Sequence, residues 1–178
     1  MTQSRPGKLT HVQTLFWEID ALRYTASRLD AGSQWERWTM LESFLLHFRN
    51  LIEFFGKDPD RDNLSVLAPE KFWTDPELQD KLRALNRPDL WEKYEGSKKQ
   101  DKISRYLQHC TEQRLESKNW DVEGMLRDIV PLIDGFENLA PSKDRSWGPP
   151  MKPLSLSNAS YSIATIGSGY AAPNWNKK

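Results

Sequence analysis

The sequence predicts an all-α fold: four long helices in an up-down bundle, with short extra helices between the second and third. Three observations predict it. Apolar residues recur at three- and four-residue spacing over several long windows, as in helices with one buried face. Four stretches match the capping box, in which a hydroxyl takes an orphan amide and the side chain three residues on reaches back. They are Thr10–Gln13, Ser33–Glu36, Thr74–Glu77 and Ser97–Gln100. No segment shows a coherent strand pattern; Ser160–Ile166 has weak strand propensity but no partner strand.

The first helix is expected from about Thr10 to Asp30, with Val12, Leu15, Phe16, Ile19, Leu22, Ala26 and Leu29 on one stripe. Gly32 ends it. The second is expected from about Gln34 to Phe55. Leu41, Phe44, Leu45, Phe48, Leu51, Ile52 and Phe55 form its apolar face, and Leu46 and Phe54 add apolar surface elsewhere. A helix apolar on more than one side belongs at the centre of a bundle. The short Ala31–Ser33 link makes these two helices antiparallel neighbours. Residues 56–63 are rich in turn formers and read as a loop. A turn at Pro69–Trp73 is expected to pack through Phe72 and Trp73. Pro76 and Pro88 suit the first turns of short helices over about 75–86 and 88–95. The third long helix is expected over Ser97–Ser117, with Ile103, Tyr106, Leu107 and Cys110 on its apolar stripe and Arg114 among them. The last begins after Asn119 or Asp121, and Pro131 should kink it.

The domain expectation is a helical bundle over residues 8–140 and a Pro/Ser/Asn-rich tail, 141–178, too poor in periodic apolar residues to build a core and so expected to be disordered. The charges divide the same way. Residues 1–140 hold 20 Lys/Arg against 24 Asp/Glu, net −4, and residues 141–178 hold 5 against 1, net +4. The whole chain is balanced, without the basic surplus of a general nucleic-acid binder. The single cysteine, Cys110, excludes an intramolecular disulfide and a thiolate zinc site. No run approaches the roughly 18 apolar residues of a membrane span, and the first residues lack an apolar signal core. A soluble cytoplasmic protein with no membrane partner is the expectation.

The second helix also carries charged and polar groups, which are costly to bury without partners. Glu42, Arg49 and Glu53 share one strip; Ser43, His47 and Asn50 share another. On the third helix His109 lies at the margin of the apolar stripe and Arg114 within it. Two readings stand. In the first, Glu42, Arg49, Glu53 and Arg114 form a structural network, Arg114 pairing with Glu42 or Glu53 to hold two helices in register. In the second, His47, Arg49, Asn50, His109 and Arg114 face a phosphate or nucleotide in one pocket, with histidine as general acid or base and arginine on the developing charge. His11, His47 and His109 fall on three helices without Glu-x-x-His or His-Glu-x-x-His spacing. No phosphate-cradling glycine loop occurs, and Gly167–Gly169 has no following helix. No metal or cofactor is expected.

Leu41–Phe55, with its His47-Phe-Arg49-Asn50-Leu-Ile-Glu-Phe-Phe55 core, together with Asp101–Arg114 and Lys118–Asp121, resembles a group of small bacterial helical proteins of no established activity. They share a His-x-Arg-Asn-Leu-x-x-Phe-Phe helix and a later His-Leu-Thr-x-x-Arg … Trp helix; Cys110 stands where leucine is usual. A more distant similarity is to HEPN domains, helical-bundle ribonucleases and nucleotide-binding modules of bacterial toxin and phage-defence systems. Their motif runs from Arg, often Arg-Asn, over four to six residues to His. Arg49-Asn50 matches the opening, but the histidine slots fall on Phe54, Phe55 and Gly56. These resemblances imply a HEPN-like bundle and a non-enzymatic interaction or nucleotide-binding module. The alternative they imply is a divergent ribonuclease acting on RNA through His47, Arg49, Asn50, His109 and Arg114. A homodimer assembled through Trp35, Trp38 and Trp91 is a third expectation.

Overall fold

A computed structural model describes residues 10–60, 62–96, 102–108 and 119–140, and among these the chain is all-α, with no strand. Helix α1 spans His11–Ala26 and starts at Thr10, whose capping box with Gln13 is complete. It is shorter than its apolar stripe. Residues 27–31 continue as single turns, with Arg28 N–H on Thr25 O and Ala31 N–H on Arg28 O, which still carry Leu29 into the core. Apolar spacing does not separate a last helical turn from such tighter turns. Gly32 then takes φ +82°, the left-handed region that favours glycine.

Helix α2, Gln34–Gly56, starts at Ser33, which with Glu36 forms the second complete capping box. The Glu36 carboxyl is held below the usual range, chiefly because it accepts the Ser33 N–H. This helix is the centre of the molecule and packs against α1 and against three later helices. Phe44, Leu45, Phe48, Leu51, Ile52 and Phe55 are wholly buried, with Phe54 nearly so. The far end of α2 is finished by later backbone: Val66 N–H donates to Phe54 O at 3.0 Å and Arg87 N–H to Phe55 O at 2.7 Å.

That approach explains Gly56. A Cβ there would stand 2.5 Å from Arg87 O and 3.2 Å from Trp91 Cβ. Helix propensity alone says that Gly56→Ala stabilises by up to about 1 kcal/mol. The backbone contact reverses the sign. We expect a loss of about 2–3 kcal/mol, from strained packing and the displaced Arg87–Phe55 bond. A fall in the urea midpoint at unchanged slope would show it; a rise would mean that the backbone at Arg87 gives way freely.

A 3-10 turn, Pro69–Lys71, sets Phe72 and Trp73 against the core. Helix α3 spans Pro76–Arg83 and α4 spans Pro88–Glu95, each with proline in its first turn. The expected Thr74–Glu77 box is replaced by a cap at Asp75, which accepts Glu77 N–H at 2.9 Å. Helix α5 is described over Ile103–Gln108. Lys102, inside the expected Ser97–Ser117 helix, is not helical; its carbonyl accepts Tyr106 N–H at 3.2 Å and opens the first turn of α5, so the helix does not run unbroken from Ser97. Residues 97–101 and 109–117, with the expected cap and Cys110, lie outside the described residues, as does the expected tail.

Helix α6, Val122–Leu139, is capped by Asp121, which accepts Gly124 N–H at 2.8 Å. It runs unbroken through Pro131, which sits on its exposed side, where water can take the carbonyl that proline leaves without a donor. Two polar ties hold it. Lys93 Nζ and Tyr94 OH of α4 donate to Asp128 Oδ2 at 2.6 and 2.7 Å. Burial works against the Asp128 charge, and these two bonds outweigh it, so the carboxyl stays below its usual range. Arg23 of α1 gives Glu137 a bidentate pair at 2.7 and 2.8 Å. Among the described residues no helix is long and apolar enough to cross a membrane.

Candidate functional site

The half-buried polar side of α2 carries three of the expected site residues, and the structure sends them to different neighbours. His47 Nδ1–H donates to Glu18 Oε2 on α1 at 2.7 Å. Asn50, almost one turn on, donates its amide N–H to the same oxygen at 3.1 Å. With Nδ1 spent on a carboxylate, the neutral ring keeps its lone pair on Nε2.

Arg49 turns the other way. Its Nη1 donates to Glu53 Oε2 at 3.1 Å, and its Nε stands 3.7 Å from Glu95 Oε1 on α4. The guanidinium lies 5.7 Å from the centre of the Trp91 ring, which Lys57 Nζ also approaches at 5.4 Å. Glu95 is buried and accepts both Ser104 N–H at 2.7 Å and Ser104 Oγ–H at 2.6 Å. It therefore ties α4 to the first turn of α5. Glu53 accepts Lys57 Nζ at 2.9 Å and Asn63 Nδ2 at 2.8 Å besides Arg49. Glu42 is half-buried on α2. His109 and Arg114 lie outside the described residues.

A buried arginine with a bidentate carboxylate partner is seen at Arg23, which the sequence reading did not single out. Its side chain is 4% exposed and pairs with Glu137, not with Glu42 or Glu53. Burial lowers its hold on the proton, and the charges of Asp20 and Asp134 act in the opposite sense. Of the tryptophans expected on an assembly surface, Trp35 is 74% exposed, whereas Trp38 and Trp91 are half-buried.

Between the two groups lies an open-sided cavity of about 200 Å³. Thr14, Leu15 and Glu18 of α1 form one wall, Asn50, Glu53 and Phe54 of α2 the second, and Asp62, Asn63 and Leu64 of the following loop the third. His47 and Arg49 do not line it. Three carboxylates and two amides line this space, and among the described residues no cationic side chain does. The Asn50 and Asn63 amides each give an N–H to a carboxylate of the wall. That fixes which end of each is nitrogen and leaves the carbonyl oxygens to accept. Thr14 Oγ–H donates to Thr10 O at 3.0 Å, so this hydroxyl too is left as an acceptor. The lining is therefore dominated by acceptors. Among the described residues no group of three or more His, Cys, Asp or Glu is arranged to hold a metal ion.

Sequence reasoning missed Glu18, Asn63 and Glu95. Glu18 was findable: in a hairpin turning at Gly32, Glu18 and His47 fall about equally far from the turn. Glu95 and Asn63 gave no such signal, because their approach depends on how the short helices and loop fold back on α2. Comparison of the chain with protein-family models, with curated proteins and with solved structures returns no match.

Proposed function

We propose that this chain is a non-enzymatic interaction module whose cavity between α1, α2 and the 62–64 loop grips a cationic, N–H-donating group of its partner. The observation that carries this reading is a lining of three carboxylates and two amide carbonyls, with no cation among the described lining residues, although Glu53 also pairs with Arg49 and Lys57 from outside it. Such a wall attracts guanidinium or ammonium, which are donor-only groups. It repels phosphate, and so speaks for an interaction role over nucleotide binding within this module. The reading keeps the wider expectations of a HEPN-like up-down bundle in the bacterial cytoplasm. Their support is the His47–Phe55 resemblance and the central place of α2.

The test is an NMR titration of the full chain with N-acetyl-arginine amide and, separately, with AMP. The guanidinium compound should shift the amides of Glu18, Asn50 and Asn63, and Asp62→Lys should abolish the shift. Shifts of those amides by AMP alone would replace this reading with a nucleotide site.

One observation favours the ribonuclease alternative: Glu18 orients His47 and leaves Nε2 able to accept a proton. On that reading His47→Gln would keep the fold and abolish RNA cleavage. A folded parent chain that leaves RNA intact would eliminate it.

A further inference from the structure

We propose that two copies of this chain meet through the outer face of the α1–α2 hairpin, with α1 of each copy laid against α2 of the other. Among the described residues the large hydrophobic side chains left exposed are Trp17, Tyr24, Trp35 and Leu46, and all four belong to these two helices.

They form two stripes. Trp17 and Tyr24 are seven residues apart on α1, about 20° round the helix, and Trp35 and Leu46 are eleven apart on α2, again about 20°. Both stripes point away from the core. Leu15 and Ile19, two residues to either side of Trp17, are buried, as are Phe44 and Phe48, two to either side of Leu46. The stripes also stand at matching heights. Glu18 bonds His47 and Asn50 across the seam between the helices. Trp17 precedes Glu18 and Leu46 precedes His47, so Trp17 and Leu46 flank that seam at one level. Tyr24 and Trp35 lie nearer the turn at Gly32.

The occupant follows from area and from self-complementarity. Aromatic side chains bring about 150–250 Å² each, so rings that are 44% exposed at Trp17 and Tyr24 and 74% at Trp35 leave roughly 300 Å² open. A stable pair buries about 800 Å² on each partner. Three side chains thus supply more than a third of it, before Leu46, 46% exposed, and the short Ala21 and Thr39 are added. The α1 stripe carries two rings and ends in a cation, Arg28, which lies 5.6 Å from the centre of the Tyr24 ring. The α2 stripe carries an indole, a leucine and, between them, the half-buried carboxylate of Glu42. The two stripes therefore suit each other in both shape and charge. They sit side by side on one molecule and cannot cover each other there. A two-fold axis parallel to the helices solves this. It sets α1 of one copy antiparallel on α2 of the other at equal height, so that Trp17 meets the second copy's Leu46. Tyr24 and Arg28 then lie towards its Trp35 and Glu42. Each contact occurs twice, as an isologous interface requires. An uncharged centre with aromatic anchors is also the composition that interfaces favour over open surface.

The experiment is sedimentation equilibrium of the full chain over roughly 1–200 µM, which covers the weak end of what interfaces of this size reach. The parent should be dimeric at the upper end. Trp35→Ser and Leu46→Glu, both at exposed positions, should each keep the circular dichroism of the parent and weaken association by about tenfold or more, as loss of an anchor residue does. The pairing is read by oxidising an equal mixture of a Trp17→Cys chain and a Leu46→Cys chain, both also carrying Cys110→Ser. A disulfide-linked pair should form in the mixture and not in either chain alone. A parent chain that is monomeric throughout overturns the inference, and so does a dimer that both surface variants leave intact. Disulfides that form as readily in the Trp17→Cys chain alone overturn the two-fold arrangement, because they set α1 on α1.

Discussion

Arg23→Met is expected to destabilise the protein by about 3 kcal/mol, and Arg23→Met with Glu137→Leu to recover most of that loss. The reasoning is one of unmatched charge. Arg23 is 4% exposed, and both its Nη atoms are spent on Glu137, which is itself 22% exposed. Removing the guanidinium leaves a largely buried carboxylate without that cation, a change that typically costs about 3–5 kcal/mol. Partial access of water to Glu137 puts the value at the lower end. Replacing both partners by apolar groups removes the uncompensated charge, and such swaps are often neutral. Urea unfolding of the two single variants and the double variant forms a cycle that isolates the pair. If Arg23→Met costs less than 1 kcal/mol, the pair that joins α1 to α6 is incidental to stability.

The same pair shows where the sequence speaks and where it is silent. That a buried arginine needs a carboxylate is general physical chemistry, but which arginine is buried depends on how each helix rotates against its neighbours. Arg23 enters the core among Ile19, Leu22 and Ala26 of α1, a placement that apolar spacing did not single out. Local signals were more legible. The α2 start at Ser33 and the α4 span Pro88–Glu95 follow from a cap, a proline and a glycine close in sequence. The cap of α3 was legible too. Proline prefers the first helical position, so Pro76 makes its predecessor Asp75 the cap, ahead of Thr74. The candidate site divides likewise. Two residues apart on a helix is about 200° of rotation, so His47 and Arg49 were bound to diverge. What each would meet, Glu18 on one side and Glu95 on the other, belongs to tertiary packing.

Phe54→Ala should cost about 3–5 kcal/mol, and Phe54→Leu about 1–1.5 kcal/mol. Phe54 is 3% exposed and sits among three other rings, with centres 4.9 Å away at Phe55, 5.6 Å at Phe72 and 6.1 Å at Phe136. It joins α2, the 3-10 turn and α6, so its truncation loosens three elements together. Its other side is a wall of the polar cavity. A void opened there is continuous with a site water can enter, and so it is not a sealed vacuum. This places Phe54→Ala near 3 kcal/mol, while a fully enclosed neighbour such as Phe48→Ala should reach the upper end. The comparison is made by chemical unfolding at equal slope. If Phe54→Ala costs as much as Phe48→Ala, water does not reach the space behind the ring. If it costs under 1 kcal/mol, the aromatic cluster does not hold α6 to α2.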